Sequence, residues 1–262
     1  MRDPDVTTLS KSDTPSAAGC AGQCAVLPDF SFQMAFQPVV DVAARRIYAY
    51  EALVRGPNGE SAYSVLGAVT DENRYAFDQA CRVKAIGTAA AYGLDRRLNI
   101  NFLPNAVYHP QACLRLTIAA AREHNFPAEL ITFEFTENEQ ILDRDHLKGI
   151  IETYRANGFR TALDDFGAGY AGLSLLADFQ PDIIKIDRVL VDRVDENLPR
   201  QAIIAGNLKT AAMLNLSVVA EGVERPEEFR VLRDMGINLF QGYLFAKPLL
   251  GSLARDADIP WI

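Results

Sequence analysis

The sequence has no long hydrophobic run, little cysteine and a deficit of positive charge. No apolar stretch approaches the roughly 20 residues that span a bilayer, and the N-terminus has neither a basic start nor an apolar signal core. Four cysteines in 262 residues are too few for a disulfide scaffold. We therefore expect a cytoplasmic protein with reduced thiols.

The shortage of basic side chains also limits the partners. With 26 Lys and Arg against 34 Asp and Glu, the net charge is −8, which argues against polymeric nucleic acid and against attraction to an anionic membrane. One small anionic ligand held by metal ions remains compatible with this charge. Cys20 and Cys24 form a weak zinc signature, because zinc sites usually add a second pair or histidines.

The N-terminal segment differs in composition from the rest of the chain. It is rich in Asp, Thr, Ser, Ala, Gly and Pro without apolar periodicity, so we predict a flexible tail at 1–28 and one folded domain at 29–262. A chain that is 49% hydrophobic can bury a substantial core.

Apolar runs of strand length alternate with helical patterns after residue 30, which indicates an α/β fold. Strands are predicted at 33–40, 47–53, 98–102, 130–135, 160–163, 183–186, 217–220 and 238–240. Helices are predicted at 74–92, 111–124, 143–157, 199–214 and 226–235. Five helices are followed by a Gly or Asn suited to a left-handed C-terminal cap, namely Gly93, Asn125, Gly158, Asn215 and Gly236.

Eight strands with interleaved helices predict a TIM-type (β/α)8 barrel. The connection at 41–46 is too short for the dozen or more residues of a parallel crossover. The first two strands should therefore form an antiparallel hairpin, which makes the fold a modified TIM barrel with one antiparallel strand.

Polar side chains recur where the predicted strands end, and in a barrel those ends meet at one rim. They are Glu51, Asn101, Glu134, Glu137, Asp164, Asp165, Lys185, Asp187, Glu221 and Gln241. Each acid alone could be a solvated or capping group, so the inference depends on the set. Converging carboxylates repel one another, and a divalent cation would resolve that repulsion. Oxygen ligands without histidine or cysteine favour Mg²⁺ or Mn²⁺ over zinc.

Two residue types in this set have a specific chemical use. The adjacent Asp164 and Asp165 could serve two cations at once, the arrangement that supports in-line attack at phosphorus. Lys185 stands in the middle of an apolar strand, where an ammonium is costly unless it is paired with acids or a phosphate. It could orient a water molecule or neutralise charge on phosphate, or form a buried salt bridge alone. The histidines His109, His124 and His146 lie away from strand ends and are assigned surface or structural roles.

The segment LDDFGAGYAG at 163–172 allows a second interpretation. Gly167, Gly169 and Gly172 have the spacing of a dinucleotide-binding GxGxxG, and Asp187 lies twenty residues after Gly167. The two aspartates would repel a pyrophosphate, and the helix that follows is too short for a dinucleotide-binding crossover. A nicotinamide or flavin enzyme is therefore the least favoured reading.

Eight short motifs follow one another in order: FQPVVD (36–41), EAL (51–53), NINFLP (99–104), FEFTE (133–137), DDFGAGY (164–170), IKID (184–187), AEGVE (220–224) and QGYLFAKP (241–248). Each motif alone has low specificity. Together, over about residues 30–250, they resemble the EAL-domain family, the cyclic di-GMP-specific phosphodiesterases. The resemblance implies a modified TIM barrel that hydrolyses cyclic di-GMP to linear pGpG with two Mg²⁺ or Mn²⁺ ions, and that forms a homodimer.

The resemblance also implies roles for individual residues. Metal ligands would be Glu51, Asn101, Glu134 and Asp164 for one ion, with Asp164 and Asp165 sharing the second. Lys185 resembles the lysine that contacts the nucleophilic water, and Glu221 a carboxylate near the waters of the site; with Glu51 these are the expected catalytic residues. Positions that contact the dinucleotide are matched by Gln37, Leu53, Arg55 and Gln241. Glu137 resembles a residue that steadies the glycine loop at 167–172, which in this family links the active site to the dimer interface.

The sequence departs from the family pattern at two places. Gly56 stands where tryptophan is common, and the segment 56–75 is shorter than usual, which bears on guanine contacts and not on metals. NFLP replaces the commoner NLSP after Asn101. Family members can also lack turnover and act as cyclic di-GMP receptors or interaction modules, or respond to a separate regulatory protein. Such inactive members usually lose acids that this chain retains.

Overall fold

The short connection after the first strand forms an antiparallel hairpin, as the sequence predicts. The structure is a computed structural model that describes residues 31–107, 109–136, 143–169 and 172–262. Strand β1 (Gln33–Asp41) pairs antiparallel with strand β2 (Arg46–Arg55), and Gln37 lies opposite Glu51. This pairing brings two predicted site residues side by side at the same height of the hairpin.

Several predictions fall outside the described residues. These are the tail at 1–28 with Cys20 and Cys24, and Glu137. Two residues of the glycine loop, at 170 and 171, are also outside.

The remaining strands complete a closed barrel. They are β3 (Arg97–Asn101), β4 (Ile131–Thr136), β5 (Arg160–Phe166), β6 (Ile183–Ile186), β7 (Ser217–Ala220), β8 (Leu239–Phe240) and β9 (Leu249–Leu250). Strands β2 to β8 pair in parallel in chain order, and β1 lies between β2 and β8, antiparallel to both. The predicted modified TIM barrel is therefore confirmed. The short β9, which the sequence pattern did not predict, pairs antiparallel with β1 at Ala35 and Phe36.

Helices cover the outside of the barrel. They are α1 (Ala62–Leu66), α2 (Arg74–Ala91), α3 (Pro110–Glu123), α4 (Arg144–Ala156), α5 (Gly172–Asp178), α6 (Arg188–Val191), α7 (Leu198–Leu214) and α8 (Pro226–Asp234). The five predicted helices correspond to α2, α3, α4, α7 and α8. The helices α1 and α6 were not predicted, because elements this short carry no apolar period. Helix α5 corresponds to the short helix expected after the glycine segment.

The predicted helix ends are confirmed by backbone geometry. The Gly or Asn after α2, α3, α4, α7 and α8 has φ between 52° and 102° in every case. At their beginnings, Asp143 and Asn197 cap α4 and α7 by accepting from the backbone N–H groups of His146 and Arg200.

Alternation along the strands divides the core into two parts. Outward residues such as Phe133 and Phe135 pack against helices, and Phe133 contacts the Tyr154 ring of α4 at 4.7 Å. Inward residues of five strands form a small separate apolar cluster, Val39, Ala49, Ala162, Ile183 and Val219. Each member stands two positions before or after a predicted site residue, so the site lies directly above this cluster. Within the described ranges, no helix is long and apolar enough to cross a membrane.

Candidate active site

Lys185 lies at the centre of a ring of carboxylates at the rim where the parallel strands end. Its Nζ is 2.8 Å from Glu134 Oε2 and 2.8 Å from Glu221 Oε1. It is also 3.1 Å from Asp164 Oδ1 and 3.3 Å from Glu51 Oε2. The strands β2, β4, β5, β6 and the residue after β7 each supply one member, so the predicted convergence of strand-end acids is confirmed.

The charges of this ring are strongly coupled. Burial lowers the pKa of Lys185, but the attraction of Asp164, Glu134, Glu221 and Glu51 outweighs it and raises that pKa well above its ordinary value. The surrounding carboxylates therefore favour the ammonium form of Lys185. Burial, together with the neighbouring carboxylates, raises the pKa values of Glu134 and Glu221 well above normal, although Lys185 acts in the opposite direction.

The carboxylates form two overlapping groups, each compact enough for one ion. The carboxylate oxygens of Glu51, Glu134 and Asp164 lie within 4.8 Å of one another, and so do those of Asp164, Asp165 and Glu221. Asp164 belongs to both groups. This overlap is the geometry expected of a bridging ligand between two cations.

An irregularity in β5 lets both aspartates face the site. In a regular strand, adjacent side chains point to opposite faces. The pairing of β5 with β6 shifts register between Leu163 and Phe166, and Asp165 has φ +53°. The strand also continues to Phe166 rather than ending at Leu163, so the predicted strand boundary was wrong. A left-handed aspartate within a bulge places two consecutive carboxylates in one site.

Side-chain amides donate hydrogen bonds to two of the carboxylates, those of Glu51 and Glu134. Asn101 Nδ2 donates to Glu51 Oε1 at 2.9 Å, and Gln241 Nε2 donates to Glu51 Oε2 at 2.7 Å. Asn99 Nδ2 donates to Glu134 Oε1 at 2.7 Å. Sequence reasoning did not select Asn99, although its two-residue spacing from Asn101 places both on the inward face of β3.

The donor set fits divalent cations that prefer oxygen. Five carboxylates and one ammonium, all in this cluster, leave four uncompensated negative charges when ionised, which two divalent cations would balance. The residues that could hold them are Glu51, Asn101, Glu134, Asp164 and Asp165, with Glu221 beside the second position. None of the three histidines joins this group: His109 and His124 flank α3, and the His146 ring contacts the Val107 carbonyl oxygen.

A cleft of about 270 Å³ opens above the carboxylates. Gln37, Leu53 and Gln241 line it, as do Asp165 and Glu221. Arg55, the fourth residue matched to dinucleotide contacts, does not line this cleft; its guanidinium donates to the Val54 carbonyl oxygen at 2.8 Å. The structure therefore brings three of the four residues together.

The glycine segment after β5 does not have the geometry of a dinucleotide-binding crossover. Helix α5 has only seven residues, and Asp187 caps α6 by accepting from Val189 N at 2.7 Å. Gly167 has φ +100°, and a Cβ there would overlap the Leu190 side chain. The tight turn against α6 therefore requires a glycine at position 167.

Comparison with known proteins agrees with this geometry. The EAL domain matches residues 27–248. A standalone EAL protein of Vibrio cholerae O395, solved in its c-di-GMP bound form, is 53% identical with a TM-score of 0.84, covering 87% of this chain and 96% of that one. BlrP1 of Klebsiella pneumoniae, solved as a manganese/cy-diGMP complex, is 38% identical with a TM-score of 0.81, covering 86% of this chain and 57% of BlrP1.

Among curated proteins, the blue light- and temperature-regulated antirepressor BluF of Escherichia coli K12 is 37% identical over 235 residues, which is 89% of this chain and 58% of BluF. The chain thus spans less than two thirds of BluF and of BlrP1. The motif order, the barrel and the matched region lead to one conclusion: the chain belongs to the EAL-domain family.

Proposed function

We propose that this protein is a metal-dependent phosphodiesterase that hydrolyses one phosphodiester bond of cyclic di-GMP to give linear pGpG in bacterial second-messenger signalling. The observation that carries the proposal is the ring of carboxylates around Lys185, which is short of positive charge at the mouth of a cleft. Relatives solved with cyclic di-GMP, one of them with manganese, support the choice of ligand and cofactor.

We assign Glu51, Asn101, Glu134 and Asp164 to one Mg²⁺ or Mn²⁺ ion, and Asp164 with Asp165 to the second. When bound, two divalent cations supply activation of water and stabilisation of charge on the phosphoryl group and on the leaving oxygen. We also assign Glu51 a catalytic role, because the side-chain amides of Asn101 and Gln241 fix its carboxylate in place.

Lys185 and Glu221 are assigned to proton and charge handling. The ammonium of Lys185, which four carboxylates surround, is assigned to donate from Nζ to the attacking water or to the developing phosphate charge. Glu221, whose carboxylate lies beside Asp164 and Asp165 and 2.8 Å from Lys185 Nζ, is the group we assign to accept the proton of the water.

The cleft residues Gln37, Leu53 and Gln241 are proposed to contact the dinucleotide. Arg55 would have to turn from the Val54 carbonyl toward the ligand, which requires breaking one hydrogen bond. We further propose that the protein is a homodimer in which Glu137 and the glycine loop connect the site to the partner subunit. A separate regulatory protein would supply the input to this connection.

A purified-protein assay tests the proposed activity. With Mg²⁺ or Mn²⁺, the protein should convert cyclic di-GMP to pGpG, and Glu51→Ala should abolish the conversion while the circular dichroism spectrum is unchanged. Absence of pGpG with either metal, in a folded protein, would overturn the activity.

A second candidate is a receptor or interaction module that binds cyclic di-GMP without hydrolysing it. The similarity to an antirepressor favours it, whereas the complete set of acids favours the enzyme. Calorimetry separates the two, because tight binding of cyclic di-GMP in the presence of metal, with no product formed, is the receptor outcome.

A further inference from the structure

Asn99 is a buried amide one level below the rim. Its side chain points inward from β3, two residues before Asn101, and the residue is 3% exposed. Nδ2 donates to Glu134 Oε1 at 2.7 Å. Glu134 Oε2 accepts from Lys185 at 2.8 Å, so each oxygen of Glu134 has its own donor.

The barrel interior gives no packing reason for an amide at this level. On five strands the residue two positions from the site residue is apolar, and those residues are Val39, Ala49, Ala162, Ile183 and Val219. On the neighbouring β4 the equivalent residue is Thr132, which is polar but smaller than an amide side chain. A leucine at position 99 would fill similar space without a polar atom. Polarity at this position therefore calls for an explanation other than core filling.

The amide also has an unfavourable feature. Among the described residues, Asn99 Oδ1 is buried and has no hydrogen-bond partner. A buried acceptor without a partner lowers stability. The Asn99 amide is oriented with Nδ2 toward Glu134 and Oδ1 away from it. The arrangement sacrifices one polar atom and retains the contact with Glu134.

We propose that Asn99 is a positioning residue for the first cation: it holds Glu134 in the rotamer in which its carboxylate can join Glu51 and Asp164 around the ion. The inference rests on the proposed function, since it deepens the role of the same metal site. Groups that orient metal ligands through a hydrogen bond are as much a part of a site as the ligands, and their loss weakens metal affinity by about 10–100-fold.

The test measures Mn²⁺ binding directly. Asn99→Leu and Asn99→Val both remove the donor to Glu134, and Val suits a strand if Leu fails to fold. The matched control is Thr132→Val, because Thr132 pairs with Asn99 in the β3–β4 register, is equally buried, and has a hydroxyl without a hydrogen-bond partner among the described residues. Calorimetry and the electron paramagnetic resonance signal of free Mn²⁺ report affinity, and thermal unfolding in chelator reports stability.

We expect Mn²⁺ affinity at the tighter site to fall by about 10–100-fold in the Asn99 variants and by less than about twofold in Thr132→Val. The Mn²⁺ concentration for half-maximal turnover should rise in parallel, with little change in the KM for cyclic di-GMP at saturating Mn²⁺. Unchanged affinity in both folded Asn99 variants, or an equal loss in the control, would overturn the role.

This test also separates the two proposals. If the protein binds Mn²⁺ in an Asn99-dependent manner but makes no pGpG, only the proposed activity fails. If the unsubstituted protein binds no Mn²⁺, both the metal site and the role of Asn99 are overturned.

Discussion

Among the residues that the structure describes, two cationic side chains are completely buried, Arg82 and Lys185, and their surroundings differ. Arg82 of α2 lies behind β3 and β4, where its guanidinium is 2.5 Å from Asp78 and donates to the Tyr154 hydroxyl at 2.8 Å. The guanidinium also lies over the rings of Phe102 and Phe133, at 5.4 and 5.3 Å. Lys185, in contrast, faces four carboxylates and no aromatic ring among the described contacts.

Charge balance is what separates the two clusters. Arg82 has one carboxylate partner, and Asp78 also accepts from the Leu103 backbone N–H at 3.0 Å, so the pair is neutral and its side chains are buried. The Lys185 cluster is strongly negative and opens to a cleft. A neutral, aromatic-lined ion pair stabilises a fold or is tolerated by it, whereas an unbalanced one at a barrel rim is typical of a site that takes cations and substrate.

The largest expected effect is on the cluster of Lys185. Asp164→Asn keeps the shape of the side chain but removes the charge shared by both carboxylate groups. Turnover of cyclic di-GMP should fall by at least about 10³-fold, because the Asp164 carboxylate is proposed to bind both cations that act on the water and the phosphoryl group. Product chromatography measures it, with Asp95→Asn, an aspartate 88% exposed, as the control. Turnover within tenfold of the unsubstituted protein would place the metal site elsewhere.

The next largest expected effect is a loss of stability at the Arg82–Asp78 ion pair. Arg82→Met leaves Asp78 buried without its partner, and should lower the free energy of unfolding by about 3–5 kcal/mol. Turnover per folded molecule should stay within about fivefold. Urea unfolding measures the first quantity. The free energy of unfolding should fall less in the double variant Asp78→Leu/Arg82→Met than in Arg82→Met alone. An equal or larger fall would show that apolar side chains cannot replace the ion pair.

Lys185→Met sharpens the contrast between the clusters. Without the ammonium, turnover should fall by about 10²-fold or more. The midpoint of thermal unfolding should fall more in chelator than in Mn²⁺, because bound cations can compensate the carboxylate charges that the ammonium no longer balances. The exposed Lys209→Met is the matched control. An equal fall with and without Mn²⁺ would indicate that Lys185 and the cations do not share the same carboxylates.

The smallest effect is at Tyr154. Tyr154→Phe removes the acceptor for Arg82 and should cost about 1–2 kcal/mol at pH 8. Burial raises the pKa of Tyr154 to about 12, with Arg82 acting against it. Since the folded value is above the unfolded value near 10, the tyrosine contributes stability below pH 10 that is lost as the pH rises toward 12.

Urea unfolding at pH 8 and pH 11 tests this pH dependence. The loss of stability between the two pH values should be smaller in Tyr154→Phe than in the unsubstituted protein. Tyr63→Phe, at a tyrosine 87% exposed, should match the unsubstituted protein. If both variants lose the same amount, Tyr154 is not the group that titrates.

Much of this architecture could be predicted from the sequence because strand periodicity and connection length are local properties. The hairpin at 41–46 and the five helix ends followed those patterns. The bulge at Asp165 could not be predicted, because its left-handed backbone depends on the pairing of β5 with β6. Asp78 and Arg82, four residues apart in a helix, have the same spacing as an ordinary surface pair, so only burial reveals them.

Stoichiometric titration of Mn²⁺ into the metal-free protein, with bound Mn²⁺ and pGpG measured in the same samples, tests the central claim most directly. We expect two Mn²⁺ ions per chain and turnover of cyclic di-GMP that appears as the second site fills and disappears on chelation. Turnover that persists in chelator, or a folded protein that binds no Mn²⁺, would contradict it.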